Sequence, residues 1–337
     1  MIRVGIVGVT GYGGRELFRL LLPHPQVQMV AAVSSSAVGQ RVDAVLPQFR
    51  ALTSLEFTAF DPEALAGSCD VVFVGVPGAE SMAIVKALRL AGVRVIDIGP
   101  DFRLQDTAKF QQYYKHAHGA PELLAESVYG YVPGWRDRIT AARLVAVPGC
   151  YPISILTPLR PLLDAPVVPG SIVVNSVSGI SGAGRTPSEA FHFPEMNENF
   201  KAYKVGVHQH IPEIEQALDG RWVVQYTPHV APMTRGIHTT IVLRPSEPFD
   251  PAPYYDCYAR EPFVRVLGEG VLPEVKHVRG TNFIDFGWVR DGRTGNLLLL
   301  CAIDNLVGGT AGMAVQCMNL MFGLDERTGL MAGGLAP

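Results

Sequence analysis

No apolar stretch of this chain approaches the roughly 20 residues that a membrane-spanning helix needs, so a helical span is not expected. Cysteine is scarce and unpatterned. Five residues (Cys69, Cys150, Cys257, Cys301, Cys317) make an odd number without Cys-x-x-Cys spacing. That argues against a disulfide framework and a zinc cluster, and for a reducing cytosol. Charge of one sign is also lacking: 28 Lys and Arg face 31 Asp and Glu, a net charge of −3. Neither nucleic acid nor an anionic membrane has an electrostatic hold on such a chain. No repeat or low-complexity linker is present. The opening Met1-Ile2-Arg3-Val4-Gly5-Ile6-Val7 reads as a strand, so no signal peptide is expected.

What is there suffices for a large core. With 337 residues, 48% of them hydrophobic, two domains are expected. The first half alternates strand and helix. Ile2 to Val9, Val27 to Val33, Asp70 to Val76 and Val93 to Ile98 are short apolar runs, as strands covered on both faces should be. Arg15 to Leu22 and Glu80 to Leu90 read as helices. This alternation predicts a Rossmann-type, doubly wound parallel sheet.

The first turn, Gly8-Val9-Thr10-Gly11-Tyr12-Gly13-Gly14, joins strand to helix. Its glycines let backbone N–H groups approach a pyrophosphate at the helix start. The ribose-reading acid expected about 20 residues further on is missing. Ser34-Ser35-Ser36 stand there instead, with Arg41 nearby. Hydroxyls and a cation accept a 2′-phosphate, which favours NADP over NAD.

The second half changes character. Ile172 to Val177, Trp222 to Thr227, Thr239 to Leu243, Phe283 to Val289 and Leu297 to Ile303 read as strands with few helices between the later ones. A mixed, mostly antiparallel sheet in an α+β domain follows. Arg290-Asp291-Gly292-Arg293 reads as a hairpin turn. Thr310 to Phe322 returns to helical periodicity and is expected to pack back on the first domain. The first domain is therefore set at 1–148 and 306–337, and the second at 149–305.

Cys150 carries the chemistry. It stands where a strand reading (Arg143 to Val147) breaks at Pro148-Gly149 and a helical reading (Ile153 to Leu163) begins. Unpaired N–H groups at a helix start favour thiolate, the form that attacks acyl carbons. Further on, His208-Gln209-His210 precedes Ile211-Pro212-Glu213, a helix start at which a neutral His suits proton transfer. Read as metal ligands, His208, His210 and Glu213 lack a supporting cluster, and no metal is expected. Arg103, just past the strand ending at Ile98, offers a guanidinium at the carboxyl edge of the parallel sheet. There it could pair with phosphate or carboxylate. The hydroxyl-lined loop Ser178-Gly179-Ile180-Ser181-Gly182-Ala183-Gly184-Arg185 could cradle an anion. Thr227-Pro228-His229-Val230-Ala231-Pro232-Met233-Thr234-Arg235-Gly236 reads as a rigid loop to which residue chemistry alone gives no role. A nicotinamide cofactor, a nucleophilic cysteine and anion-holding arginines together fit interconversion of an acyl phosphate and an aldehyde.

These segments, with Asp101-Phe102-Arg103, Val128-Tyr129-Gly130, Pro148-Gly149-Cys150-Tyr151-Pro152, Gly206 through Ile214, and Asn305-Leu306 with Ala311-Gly312, resemble the N-acetyl-γ-glutamyl-phosphate reductases. That family belongs with the aspartate-semialdehyde dehydrogenases and acts in arginine biosynthesis. The resemblance covers nearly the whole chain in order. It implies Cys150 as nucleophile, His210 as acid/base with His208 as rival, and Arg103 near the phosphate, with Arg185 and Glu213 also at the substrate. It further implies NADP(H), held by Gly8, Thr10, Gly11, Tyr12, Gly13, Gly14, Ser34, Ser35, Gly182 and Asn305. A homodimer or homotetramer in the cytoplasm, acting on a small acyl phosphate, completes the expectation.

The chain departs from the family pattern at Gly99-Pro100 (usually Ser-Ala), Ile153 (Thr), Gly308 (Lys), Met313 (Gln) and Cys317 (Asn). Gly308 and Met313 fall toward the nicotinamide end of the implied cofactor. Other readings remain: a sister reductase acting on an aminoadipyl or carrier-protein-linked substrate would keep the same catalytic residues. Aspartate-semialdehyde dehydrogenase fits less well, because the His-x-His-x-Pro-Glu run is not its pattern. A non-catalytic NADP-binding sensor would keep the fold and lose the reactive thiol.

Overall fold

A computed structural model describes residues 1–168, 170 and 172–335. They form two compact units: residues 1–148 with 310–331, and residues 149–309 with 332 onward. The return crossing thus lies at Thr310 rather than 306. Asp304 explains this, since its Oδ1 accepts the N–H groups of Leu306 and Val307 while its carbonyl accepts that of Gly309. The final segment joins the second unit through Leu335, whose N–H and carbonyl both bond Arg279. Residues 336 and 337 lie outside the described residues.

In the first unit, seven strands are all paired in parallel. They are β1 (Ile2–Val7), β2 (Val27–Val33), β3 (Phe57–Thr58), β4 (Val71–Val74), β5 (Arg94–Asp97), β6 (Ser127–Tyr129) and β7 (Leu144–Ala146), in the order β3-β2-β1-β4-β5-β7-β6. All four residues of β4 are fully buried, as a strand covered on both faces requires. The order reverses between β1 and β4, and the glycine turn sits at the carboxyl end of β1, where doubly wound sheets bind ligands. The helix after that turn runs Tyr12–Leu21 and buries Leu17, Phe18, Leu20 and Leu21. The helix Gly312–Met321 packs against it, within the same unit.

The second unit holds a mixed sheet of β8 (Ile172–Gly179), β9 (Lys201–Ala202), β10 (Val224–Ala231), β11 (Ile237–Leu243), β12 (Val264–Glu269), β13 (Ile284–Arg290) and β14 (Leu297–Ile303). Its order is β12-β13-β14-β11-β8-β10-β9, and four of its six pairings are antiparallel. Alternate residues of β11 are buried and half-buried, so one face of the sheet is covered. The helix Cys150–Leu159 helps cover it, with Ile153, Ile155, Leu156 and Leu159 all fully buried. Burying each of these side chains contributes roughly 1.5–3 kcal/mol relative to exposure.

Three sequence expectations need correction. The helix begins at Cys150 itself, not Ile153, because Pro152 lies in the first turn, where no N–H partner is needed. Thr227 to Ala231 is strand rather than loop: Pro228 continues β10 opposite Ser176 of β8 and uses only its carbonyl, which accepts from Tyr203 N. The β13–β14 turn extends to Asn296, closed by Asp291 N donating to the Asn296 carbonyl.

Candidate active site

The second unit gathers Cys150, His208, His210 and Glu213. Cys150 is half-buried at the first position of its helix, where unpaired amides concentrate positive potential. Burial pushes the thiols of Cys69, Cys301 and Cys317 up, away from thiolate, and partial desolvation with the Glu261 charge raises that of the exposed Cys257. The turn that presents Cys150 is fixed from below. Glu213, fully buried, accepts the Gly149 N–H at 2.8 Å through Oε1. Sequence reasoning put Glu213 at the substrate, whereas here its carboxylate holds the turn that carries Cys150. Glu213 belongs to the helix Ile211–Ala217, for which His210 is the N-cap residue. The turn of Cys150 and His210 are therefore linked through one short helix.

His208 is 2% exposed and stands in a box of aromatic rings. Tyr151, Tyr203 and Tyr226 approach it edge-on at 5.7, 5.6 and 5.5 Å between centroids. Its Nδ1 accepts the backbone N–H of His210 at 3.1 Å, so the proton of the neutral ring sits on Nε2. Tyr203 donates to the Tyr151 hydroxyl, which donates to the His229 carbonyl. Burial, with a smaller contribution from Cys150, pushes the Tyr203 hydroxyl up to about 12, and burial likewise raises Tyr151 and Tyr226. All three phenols keep their protons at neutral pH.

Burial, aided by the Lys204 charge, lowers His208 to about 4. The unfolded ring, near 6.5, binds a proton that the folded ring refuses between pH 6.5 and 4. Stability is therefore lost as pH falls through that window, by up to roughly 3 kcal/mol from this residue. His24, His118 and His238 are lowered by burial and act in the same direction, whereas Asp97, raised to about 7 by burial, opposes them. His208→Phe should flatten the fall of Tm between pH 6.5 and 4. An unchanged slope in scanning calorimetry would refute the burial argument.

Gly309 is a site residue that sequence reasoning missed. A Cβ there would lie 2.8 Å from Cys150 Cβ, so only glycine fits against that residue. The Gly-Gly pair in the late motif was the available signal. Asn305, expected at the cofactor, is 1% exposed and knits two loops, its Oδ1 accepting Gly236 N and its Nδ2 donating to Ser181 Oγ. Gly182 lies beside it, with Ser178 Oγ 3.0 Å from where its Cβ would be. Arg185 is exposed. Nδ1 of His208 and Oε1 of Glu213 are engaged by backbone amides. Among the described residues no group of three or more His, Cys, Asp or Glu could hold a metal ion.

In the first unit the glycine turn fits a dinucleotide. Gly8 has φ +93°, and a Cβ on Gly14 would fall 2.2 Å from the Gly8 carbonyl, so neither position admits a side chain. Such a turn brings backbone amides against a pyrophosphate at a helix start. Thr10, Gly11, Tyr12 and Gly13 complete it, the Thr10 carbonyl accepting from Arg15 Nε. Ser34, 7% exposed, and the exposed Ser35 follow β2. Arg41, expected to meet a 2′-phosphate, is bidentate to Asp43. Arg103 is 6% exposed and donates from Nε to the Val147 carbonyl at 2.8 Å and from Nη2 to the Ile98 carbonyl at 3.0 Å. It thereby ties together the ends of β5 and β7.

A parallel dinucleotide-type sheet followed by a mixed sheet under a cysteine-led helix is the layout of a semialdehyde dehydrogenase. Residues 3–142 match the semialdehyde dehydrogenase NAD binding domain and residues 150–305 the semialdehyde dehydrogenase dimerisation domain. Within that class, the chain is 47% identical to the N-acetyl-γ-glutamyl-phosphate reductase of Desulforudis audaxviator, with 100% of both chains covered. It is 48% identical to that of Symbiobacterium thermophilum, over 99% of this chain and 98% of the relative. The chain belongs to the N-acetyl-γ-glutamyl-phosphate reductase family. Solved structures with the same fold include Vibrio cholerae aspartate semialdehyde dehydrogenase II, at TM-score 0.73 and 17% identity, covering 96% of this chain and 98% of that one. The Candida albicans aspartate semialdehyde dehydrogenase solved with NADP has TM-score 0.71 and 16% identity, over 96% and 98%. Among the described residues, no helix is long and apolar enough to cross a membrane.

Proposed function

We infer that this enzyme reduces N-acetyl-γ-glutamyl phosphate to N-acetylglutamate 5-semialdehyde and phosphate, a step of arginine biosynthesis. The observation that carries the reading is full-length identity of 47–48% to reductases of that name. A half-buried thiol at a helix start supports the chemistry. His210 takes the proton of Cys150. The sulfur bonds to the acyl carbon as the carbon–oxygen bond to phosphate breaks, leaving a thioester. NADPH, when bound, supplies the hydride. As the sulfur–carbon bond then breaks and aldehyde is released, His210 returns its proton to the sulfur.

His208, low in proton affinity and bonded to the His210 amide, positions its neighbour. Arg103 and Arg185 remain the candidates for the phosphoryl group. Gly8, Thr10, Gly11, Tyr12, Gly13 and Gly14 would hold the cofactor pyrophosphate, Ser34 and Ser35 its 2′-phosphate, and Gly182 the nicotinamide end. A homodimer or homotetramer in the cytoplasm is the working assembly, in keeping with the dimerisation-domain match. The test runs the reaction in reverse, with N-acetylglutamate semialdehyde, phosphate and either NADP or NAD. Phosphate-dependent reduction of NADP, faster than that of NAD at equal concentration, is expected. No phosphate dependence would overturn the acyl-phosphate reading, and equal rates would overturn the cofactor preference.

A further inference from the structure

The connection between β10 and β11 carries a cation that the scheme above does not use. Arg235 has a quarter of its side chain exposed, and its Nη1 lies 3.7 Å from Oδ2 of the fully buried Asp304. That carboxylate is itself immobilised, accepting N–H groups from Gly280, Leu306 and Val307. The backbone around Arg235 is equally fixed. A Cβ on Gly179 would meet Arg235 N at 2.8 Å, so the two segments touch directly. Ile180 N and Ser181 N donate to the Met233 and Thr234 carbonyls, and Gly236 N donates to Asn305 Oδ1. Three segments are thus knotted into one platform. The platform abuts the nucleophile, since the Asp304 carbonyl holds Gly309 N and Gly309 lies against Cys150.

We propose that Arg235 is the anchor for the substrate's α-carboxylate, a role that rests on the reaction inferred above. The substrate carries two anionic groups at different distances from the attacked carbon. The phosphoryl group is joined to that carbon through one oxygen, whereas three carbons stand between it and the carboxylate. In these links Arg235 is joined to Cys150 through Asp304 and then Gly309, so it suits the remote group. A guanidinium on a rigid platform pairs with a carboxylate at little entropic cost. It would thereby fix the acyl chain so that its reacting end lies at the sulfur.

The test compares two aldehydes in the phosphate-dependent reverse reaction: N-acetylglutamate semialdehyde and 4-acetamidobutanal, which is the same molecule without its carboxylate. Arg235→Ala should lower kcat/KM for the first about 100-fold, chiefly through KM. It should leave 4-acetamidobutanal within about threefold and the KM for phosphate unchanged. Arg235→Lys, which keeps the charge but loses the fork, should recover part of the loss. Equal losses on both aldehydes would overturn the proposal, and a raised KM for phosphate would move Arg235 to the phosphoryl group. Should Arg235→Ala fail to fold, Arg235→Lys carries the same comparison. Failure of the wild-type enzyme to oxidise N-acetylglutamate semialdehyde at all would instead sink the inferred reaction.

Discussion

Cys150→Ser is expected to lower kcat by at least about a thousandfold while NADPH binding persists. A hydroxyl at the same place is almost wholly protonated at neutral pH, and serine makes an ester rather than a thioester. No other thiol can take over. Cys69, Cys301 and Cys317 are buried, which raises their thiols, and the exposed Cys257 is raised by partial desolvation of its sulfur and by the Glu261 and Asp256 charges. The glycine turn at Gly8–Gly14, proposed above for the cofactor, belongs to the other unit, so fluorescence titration with NADPH should be unaltered. Mass spectrometry supplies the second measurement: wild-type enzyme given acyl phosphate without reductant gains the mass of the acyl group, and the variant does not. Activity within tenfold of wild type would dismiss the nucleophile assignment.

Gly309→Ala is expected to cost both stability and turnover. The added carbon would stand 2.8 Å from Cys150 Cβ and 3.2 Å from the Asp304 carbonyl oxygen. Neither neighbour yields easily. Cys150 begins a helix whose following residues are buried, and Asp304 is bonded to three backbone amides. Overpacking of this kind costs about 1–3 kcal/mol. Relief by moving the sulfur would misplace it by a fraction of an ångström to an ångström, enough to lower kcat about 100-fold. Differential scanning calorimetry and steady-state kinetics give the two readings, and slower alkylation of Cys150 by iodoacetamide would report the displacement itself. A variant with wild-type Tm and kcat would mean that the turn at Val307–Ala311 gives way, contrary to this account.

Much of the architecture was legible because it rests on local patterns. β2 and β14 fall where the apolar runs Val27 to Val33 and Leu297 to Ile303 lie, and the helix Glu80–Leu90 matches its periodicity end to end. β3, β6 and β9 escaped because two or three residues carry no measurable period. β12 escaped for another reason: its pairing with β13 shifts between Val266 and Gly268, which breaks any alternation. Pro228 misled because proline in a strand is tolerated only where its missing donor is not needed, and that depends on neighbours distant in sequence.

At the candidate site, the motif residues are legible in the sequence and their partners are not. The Cys150 turn and the His208–Glu213 run stand out by composition. That Glu213 receives Gly149, or that Tyr203 and Tyr226 box in His208, depends on contacts made only by the folded chain. Arg235 lies in the run Thr227 to Gly236, whose composition alone points to no role.

The link from Gly149 to Glu213 also bears on how this chemistry can be transplanted. Because the loop bearing the sulfur leans on a helix 64 residues away in the chain, the two are a single mechanical part. A designer who copies the Pro-Gly-Cys loop alone into a new scaffold would obtain a thiol without its footing. The short helix that begins after His210 must be carried over with it.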